Sequence, residues 1–391
     1  MQNLIPLVRE VEEKPTNENL NRFKTAVEET NQFLSKLENE LIIENVNTVL
    51  SVDLGRVATK CCISRDPGNV MFISANVKQM SMEQLRGGVF QTNETDPLMD
   101  LWLEYQGEGY AVGALAAKFG ANLGVGQSKV EYAIVKVLAS AGYFKLKGNI
   151  AIVISLPYHF QEEFDKEKAL LINQLIGTHV MTFRGELVEL NVGKVWIMPD
   201  GYGSLLWCEA QPKKGRETTD FTKLSVAIVD IGHETTDCVM VDNFRFARGA
   251  SKSEKFSMNN FYELIAEEIE GADIQSLHLI AAVNKPRGER LYRPRGASKP
   301  TNLDDFLPHL IEMFSREICS RILAWLPERV TDVILTGGGG EFFWEDVQRV
   351  LKEAQINAHL AAPSRQANVL GQYIYGEAQL SASRVKPKQK V

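Results

Sequence analysis

The chain has 391 residues, a formal net charge of −7, 44% hydrophobic residues and 24% charged residues. That length exceeds a single typical core and implies two domains; the composition is that of an ordinary globular protein, and the acidic balance argues against nonspecific nucleic-acid binding by the body as a whole. Cys61, Cys62, Cys208, Cys238 and Cys319 form no CxxC pair and the six histidines lack zinc spacing, which excludes a disulfide framework and a zinc site and leaves buried, reduced thiols in a cytoplasmic protein.

Residues 1–45 read as a separate helical extension. The opening Met1-Gln2-Asn3-Leu4-Ile5-Pro6 lacks a signal-peptide layout, and no apolar stretch is long enough to span a bilayer. Leu20, Phe23, Val27, Leu34, Leu37 and Leu41 follow three/four spacing, with Thr30 in the one polar seat, predicting an amphipathic helix. It either packs on the body or associates with a partner helix; its Glu-dominated polar face disfavours an anionic membrane surface.

The strands begin after Glu44. Val46–Val52 leads into a hairpin that continues through Cys61-Cys62-Ile63, and Asn69–Ala75 is a third strand. Leu101–Val112 reads as two strands about a glycine-containing turn. Gln127–Gly142 has helical spacing, and Ile150–Leu156 is a continuous apolar run of the kind buried on both faces of a sheet. Gln161–Ile176 is a helix, Val180–Phe183, Glu186–Leu190 and Lys194–Met198 are strands, and Gly201–Glu209 is a helix. The polar stretch Lys213–Glu217 suits a domain boundary, since a second hairpin follows it and the order of elements begins again. Asn259–Ile269 and Asp304–Leu323 are helices, Asp332–Thr336 is a strand running into Gly337-Gly338-Gly339-Gly340, and Glu345–Ala354 and Leu370–Leu380 are closing helices. The tail 383–391 is basic and reads as disordered.

The two hairpins carry the chemistry. Val52-Asp53-Leu54-Gly55-Arg56 is answered by Val229-Asp230-Ile231-Gly232-His233, each an apolar strand ending in Asp, an apolar residue and Gly. Tight turns rich in backbone N–H groups cradle anionic oxygens, and an Asp at the rim of each can hold a hydrated divalent cation. Facing each other, the hairpins make a clamp for a Mg-nucleotide. Lys60 and Arg56 add cations for phosphate, with a solvated strand end the alternative for Lys60 and a surface role for Arg56; Thr235 and Thr236 add hydroxyls, and Asp237 reads as a brace for its turn. Gly337–Gly340 lets backbone approach a bulky group, but the run lacks GxGxxG spacing and a following Walker lysine, so it is not a P-loop.

Taken in order, the Asp53/Gly55 turn with Lys60, Ser155-Leu156-Pro157, Asp230-Ile231-Gly232 with Thr235-Thr236-Asp237, and Thr336 with its glycine run resemble the actin-like ATPases, closest to the bacterial ParM and Alp group. Tyr105–Gly113 and Ala367–Tyr373 add to the likeness, which spans roughly residues 46–380. The resemblance implies an α/β fold of two duplicated ribonuclease-H-like domains with ATP and Mg²⁺ between them: domain I over 46–224, domain II over 225–365, and a closing helix at 366–382 returning to domain I. It also implies that Asp53 and Asp230 hold the metal through water, that Gly55, Arg56, Lys60, Gly232, His233, Thr235 and Thr236 surround the phosphates, and that Gly337, Gly338, Gly339 and Gly340 meet the adenosine. Asp200, in Met198-Pro199-Asp200-Gly201, falls where the family places the residue that orients the attacking water; many ParM-type relatives have Glu there, and Asp is one methylene shorter. N-capping of the following helix is the competing role for Asp200. Glu234 is a second departure, expected to point outward, away from the phosphates and toward a neighbouring subunit.

The function implied is an ATPase that polymerises head to tail into cytoskeletal filaments, in plasmid or DNA segregation or in cell-shape organisation, with a DNA-bound adaptor as a further partner and neither membrane insertion nor direct DNA binding. A soluble kinase of the same superfold and a nucleotide-binding scaffold without hydrolysis are the alternatives; a chaperone-like ATPase is disfavoured because no peptide-binding domain is readable. The basic stretch Lys285, Arg287, Arg290, Arg293, Arg295 and Lys299, opposed by Glu289 and carrying Tyr292 as its one aromatic, reads as a solvated loop or a contact with the acidic body of the next subunit, with DNA contact the weakest reading.

Overall fold

Alternating and continuous apolar runs build two sheets in the computed structural model, which describes residues 46–86, 96–123, 128–212, 219–274 and 276–385 together with isolated positions between 14 and 25. The first sheet contains β1 (Thr48–Leu54), β2 (Ala58–Cys62), β3 (Met71–Ser74), β4 (Val77–Met80), β5 (Leu101–Tyr105), β6 (Glu108–Val112), β7 (Gly148–Leu156), β8 (Gly177–Phe183) and β9 (Glu186–Pro199), in the order β3-β2-β1-β7-β9-β8-β5-β6-β4. The second contains β10 (Ser225–Ile231), β11 (Thr236–Asp242), β12 (Arg245–Phe246) and β13 (Lys252–Glu254); β14 (Leu291–Tyr292) and β15 (Thr301–Asn302) form a separate ribbon, and β16 (Asp332–Thr336) and β17 (Asn357–Leu360) complete the second sheet. Its order is β12-β11-β10-β16-β17, with β13 also on β11.

The duplication lies in this pattern. In each half an antiparallel hairpin, β1/β2 or β10/β11, has a parallel strand on its other side, β7 or β16, and a further parallel strand beyond, β9 or β17. Parallel pairing demands crossovers. The described helices include α1 (Met82–Arg86), α2 (Ala114–Lys118), α3 (Ala133–Tyr143), α4 (Gln161–Leu175), α5 (Tyr202–Ala210), α6 (Met258–Glu267), α7 (Leu277–Val283), α8 (Leu307–Trp325), α9 (Gly337–Phe342), α10 (Trp344–Glu353) and α11 (Ser364–Val385). β7 is buried from Ile150 to Leu156, as a strand covered on both faces must be.

One hydrophobic core joins the first sheet to α3 and α4, and a second joins the other sheet to α6, α8 and α10. A third holds Cys62 of β2, Leu205 and Trp207 of α5, Val226 and Ile228 of β10, and Val369 and Leu370 of α11. There α5 and α11 cross at glycines: a Cβ on Gly371 would collide with the Gly203 carbonyl oxygen, and one on Gly203 with the carbonyl of Asn368. A polar thread runs beside the crossing. Ser51 Oγ donates to Val369 O at 2.7 Å, and Gln372 Nε2 donates to Ser155 Oγ at 2.7 Å, tying β1 and β7 to α11.

Several boundaries differ from the sequence expectations. Helix α3 starts at Ala133, because Tyr132 sits at φ +53° in the left-handed region. Leu303–Asp305 is a short 3-10 turn capped by Asn302, and α8 follows it with Pro308 in the first turn, where no amide is needed. The two segments 186–190 and 194–198 are one strand, β9; Gly193 is the extra residue of a bulge against β7. The third strand is shorter than Asn69–Ala75, since a 3-10 turn occupies Pro67–Asn69. Helix α11 extends through Arg384 and Val385, which the tail was expected to include. The expected N-terminal helix positions Leu20 to Leu41, the loop 213–217 and residues 386–391 lie outside the described residues.

Candidate functional site

The hairpin register fixes the first half of the site. Asp53 on β1 stands directly opposite Lys60 on β2, and Lys60 Nζ donates to Asp53 Oδ2 at 2.8 Å. Between them Gly55 closes the turn: its N–H bonds the Asp53 carbonyl, and a Cβ there would run into the Ala58 carbonyl. The second hairpin repeats the device. Gly232 N–H bonds the Thr235 carbonyl at 2.9 Å, and a Cβ on Gly232 would press on that same oxygen. Both glycines therefore shape their turns, and their amides are engaged inside them.

The halves differ in charge. Where Lys60 faces Asp53, Asp237 faces Asp230 across β10/β11, so like charges oppose each other. Burial, reinforced by Asp237, Asp53 and Asp200, pushes the Asp230 carboxyl up to about 7 despite Lys60 nearby. Burial and Asp200 push Asp237 up to about 6. Burial also opposes ionisation of Asp53, but the Lys60 and Lys129 ammoniums outweigh it and hold that carboxyl below its ordinary range. Thr235 Oγ1 donates to Asp237 Oδ2 at 3.0 Å, a brace made by a hydroxyl rather than by backbone amides.

Asp200 follows β9, its N–H bonded to the Leu156 carbonyl at 2.8 Å. It does not cap α5: Gly201, at φ +84°, is the N-cap residue, and no side chain caps that helix. The Asp200 carboxylate turns instead to Lys129, whose Nζ lies 2.5 Å from Oδ2 and 3.8 Å from Asp53 Oδ1. Burial favours a neutral Lys129 amine, yet Asp200 and Asp53 overcome it and raise its pKa. Lys136 of α3 is buried near Arg56 and Lys129; burial and these cations pull its ammonium down to about 8. Neither lysine is among the sequence candidates. Lys136 lies between Val135 and Val137 in the apolar face of a helical pattern, a signal that a buried cation was available to find. Lys129 precedes that helix in a turn and carries no comparable mark.

Glu234 does not point outward. Its Oε2 meets Arg56 Nε at 3.0 Å, with both side chains about one-fifth exposed, so the pair bridges the turns of the two hairpins. Charge attraction between turns brought face to face overrides the expected repulsion from a phosphate site. His233 packs its ring 5.8 Å from Tyr262, and burial lowers its pKa; its carbonyl accepts from Ser257 Oγ and Asn259 N, anchoring the turn to the start of α6. Thr236 faces away from Thr235, its hydroxyl donating to the Phe256 carbonyl.

The glycine run between β16 and the next helix opens α9 itself. Gly337, at φ +80°, and Gly339 lie so close to β10 that a Cβ would collide with Asp230 Oδ1 or with the Ile231 side chain, whereas Gly338 faces open space. The run thus presses α9 onto the acidic end of β10.

A hydrated hard cation fits this donor set. The carboxylates supply oxygen ligands alone, and Asp200 Oδ1 and Asp237 Oδ1 are buried without a hydrogen-bond partner. Among the described residues no three His, Cys, Asp or Glu side chains converge as direct ligands. The basic stretch forms the β14–β15 ribbon and its flanks, with Lys285, Arg287, Arg293, Arg295 and Lys299 exposed. Arg290 is paired with Asp304 at 3.4 Å, an acid the sequence reading left out, and Tyr292 is 5% exposed and has no face to offer a base. No helix among the described residues is long and apolar enough to cross a membrane.

Comparison with known proteins gives a consistent likeness. The family described as actin-like proteins, N-terminal domain, matches residues 51–203, and the archaeal actin homologue MreB-like C-terminal family matches residues 228–349. Among solved structures, actin-like protein Alp7A is similar with TM-score 0.68 at 18% identity, over 87% of this chain and 98% of that one. The archaeal actin homologue Ta0583 in complex with ADP is similar with TM-score 0.64 at 16% identity, over 85% of this chain and 100% of that one. A 15-stranded ParM filament from Clostridium botulinum gives 0.60 at 17%, with coverages of 85% and 100%. At these identities the likeness is one of fold. No curated protein matches the chain.

Proposed function

Because the chain belongs to the actin-like proteins, with their two-domain α/β fold, we propose that it binds ATP with Mg²⁺ between its two hairpins, hydrolyses it, and assembles head to tail into cytoskeletal filaments. The observation that carries this reading is the convergence of the ends of β1 and β10: four carboxylates, Asp53, Asp200 and Asp237 buried and Asp230 partly exposed, gathered with Lys60 and Lys129. Such a cluster is costly to bury without a guest that brings positive charge and hydrogen-bond donors. Solved relatives support the coarser reading, since one is described as a complex with ADP and others as filaments, one of them bound to AMPPNP.

In this mechanism the phosphates seat between the Gly55 and Gly232 turns, and Gly338 supplies the open surface for the adenosine. Asp53 and Asp230 hold the hydrated Mg²⁺. The ion, when bound, neutralises phosphate charge and that which develops on the leaving group. Lys60 and Arg56 place positive charge at the β- and γ-phosphates, so Arg56 leaves Glu234 as nucleotide enters. Asp200 orients the water that attacks the γ-phosphorus. The protein acts in the cytoplasm, in DNA segregation or cell-shape organisation, with itself and a DNA-bound adaptor as partners.

The test is sedimentation with phosphate release. The full chain is spun at high speed with Mg-ATP, Mg-ADP or no nucleotide, and phosphate is measured in parallel. ATP-dependent pelleting with phosphate release is expected. Pelleting without release would leave a nucleotide-binding scaffold, and absence of pelleting at every concentration would overturn the filament reading.

A further inference from the structure

The two oxygens of Asp200 stand in different circumstances. Oδ2 accepts from Lys129 Nζ at 2.5 Å. Oδ1 is buried and has no hydrogen-bond partner. Native interiors rarely leave such an atom unpaired, so Oδ1 marks a place for a donor that the chain does not supply. The side chains themselves have little freedom: Asp200 is 4% and Lys129 10% exposed, and the ammonium reaches Asp53 Oδ1 at 3.8 Å as well. Lys129 thereby links the carboxylate at the end of β9 to that at the end of β1.

We propose that Lys129 is a positioning residue for ATP hydrolysis, engaging Asp200 Oδ2 so that Oδ1 is left as the acceptor for the attacking water. This rests on the hydrolytic reading above. The water oxygen forms a bond to the γ-phosphorus as the bond from that phosphorus to the bridging oxygen breaks. One proton of the water passes to Asp200 Oδ1 and from there to product phosphate or solvent, leaving ADP and inorganic phosphate. Lys129 touches neither water nor phosphate; it acts through the angle at which Asp200 is held, and displacement of a reacting group by about 1 Å costs on the order of a hundredfold in rate.

Three variants of the full chain test this: Lys129→Met, Lys129→Arg and Asp200→Asn, with the double variant Lys129→Met/Asp200→Asn. Steady-state phosphate release gives kcat, and titration with a fluorescent ATP analogue in Mg²⁺ gives the nucleotide Kd. Lys129→Met is expected to lower kcat about a hundredfold. Lys129→Arg, which keeps the charge but not the reach, is expected to lower kcat at least about tenfold while leaving Kd within about threefold. In the double variant, kcat falls no further than in Asp200→Asn alone, because the lysine works through that carboxylate. The double variant also removes both charges of a buried pair, so it keeps its fold even if Lys129→Met alone is destabilised. An undiminished kcat in Lys129→Arg, or a full additional loss in the double variant, overturns the inference. Wild-type protein that binds Mg-ATP without releasing phosphate overturns the hydrolytic reading, and this inference with it.

Discussion

At the scale of single residues, the site is governed by an excess of buried acid over base, and that excess has a pH signature. Asp230 rises from 3.8 to about 7 in the folded protein. Between those values the folded state keeps a proton that the unfolded chain has lost, so stability falls as pH rises through this window and the loss is complete above it. Asp237, raised to about 6, acts the same way over the lower part of the window. Asp53 runs opposite: its carboxyl is lowered, so its contribution is present above the ordinary carboxylate value and disappears as pH falls below it. Asp230→Asn removes the largest penalty. Without nucleotide and in EDTA, this variant should be more stable than wild type at pH 8, on the order of 2 kcal/mol or more, and its advantage should be clearly smaller near pH 5, part-way down the window. Denaturant unfolding at the two pH values measures this; an equal difference at both would refute the assignment. Asp53, Lys60 and Asp230 were legible from their spacing in two similar hairpins. The bond from Lys129 to Asp200 was not, because it joins segments 71 positions apart that only the folded sheet brings together.

Among the elements, α5 and α11 cross in close backbone contact although they lie far apart in sequence. Gly203 and Gly371 let the two backbones touch, and no side chain fits between them. Gly371→Ala should destabilise the protein by about 3 kcal/mol, the upper range for forcing extra volume into a packed contact. Gly249→Ala, whose new methyl would meet nothing within 4 Å, should change stability little; urea unfolding of the two variants decides this. The sequence revealed most elements because their apolar periodicity is strong: β7, α4 and the β5/β6 hairpin appear where the pattern puts them. It misplaced ends where a local feature outweighs periodicity, as with the left-handed Tyr132 before α3 and the 3-10 turn before α8. It gave no warning of β17, whose Asn357–Leu360 is short, half-exposed and mixed in composition, and strand character there comes from pairing with β16. Glycine disfavours helix, so the pattern does not mark the glycine run as helical; close approach of α9 to Asp230 and Ile231 overrides that preference.

For the whole molecule, the uneven surface charge bears on assembly. The net charge is −7, yet Lys285, Arg287, Arg293, Arg295 and Lys299 crowd one exposed ribbon and its flanks. If that ribbon meets the acidic body of the next copy, the Arg293→Glu/Arg295→Glu variant should raise the protein concentration needed for ATP-dependent pelleting severalfold. Wild-type assembly should also weaken between 50 mM and 300 mM salt, as exposed charge pairs are screened. Unchanged pelleting by the variant at low salt would assign the ribbon to solvent.

The duplicated strand pattern is symmetric, but the residues that face Asp53 and Asp230 are not: one is a lysine, the other an aspartate. Two identical hairpins would greet both ends of an elongated guest alike and could admit it either way round. Exchanging a cation for an acid in one copy leaves the first hairpin's carboxylate neutralised by its partner and the second's opposed by another acid. A guest with a charged head and a neutral tail then has a single direction of entry, and every subunit in an array would carry its cargo pointing the same way.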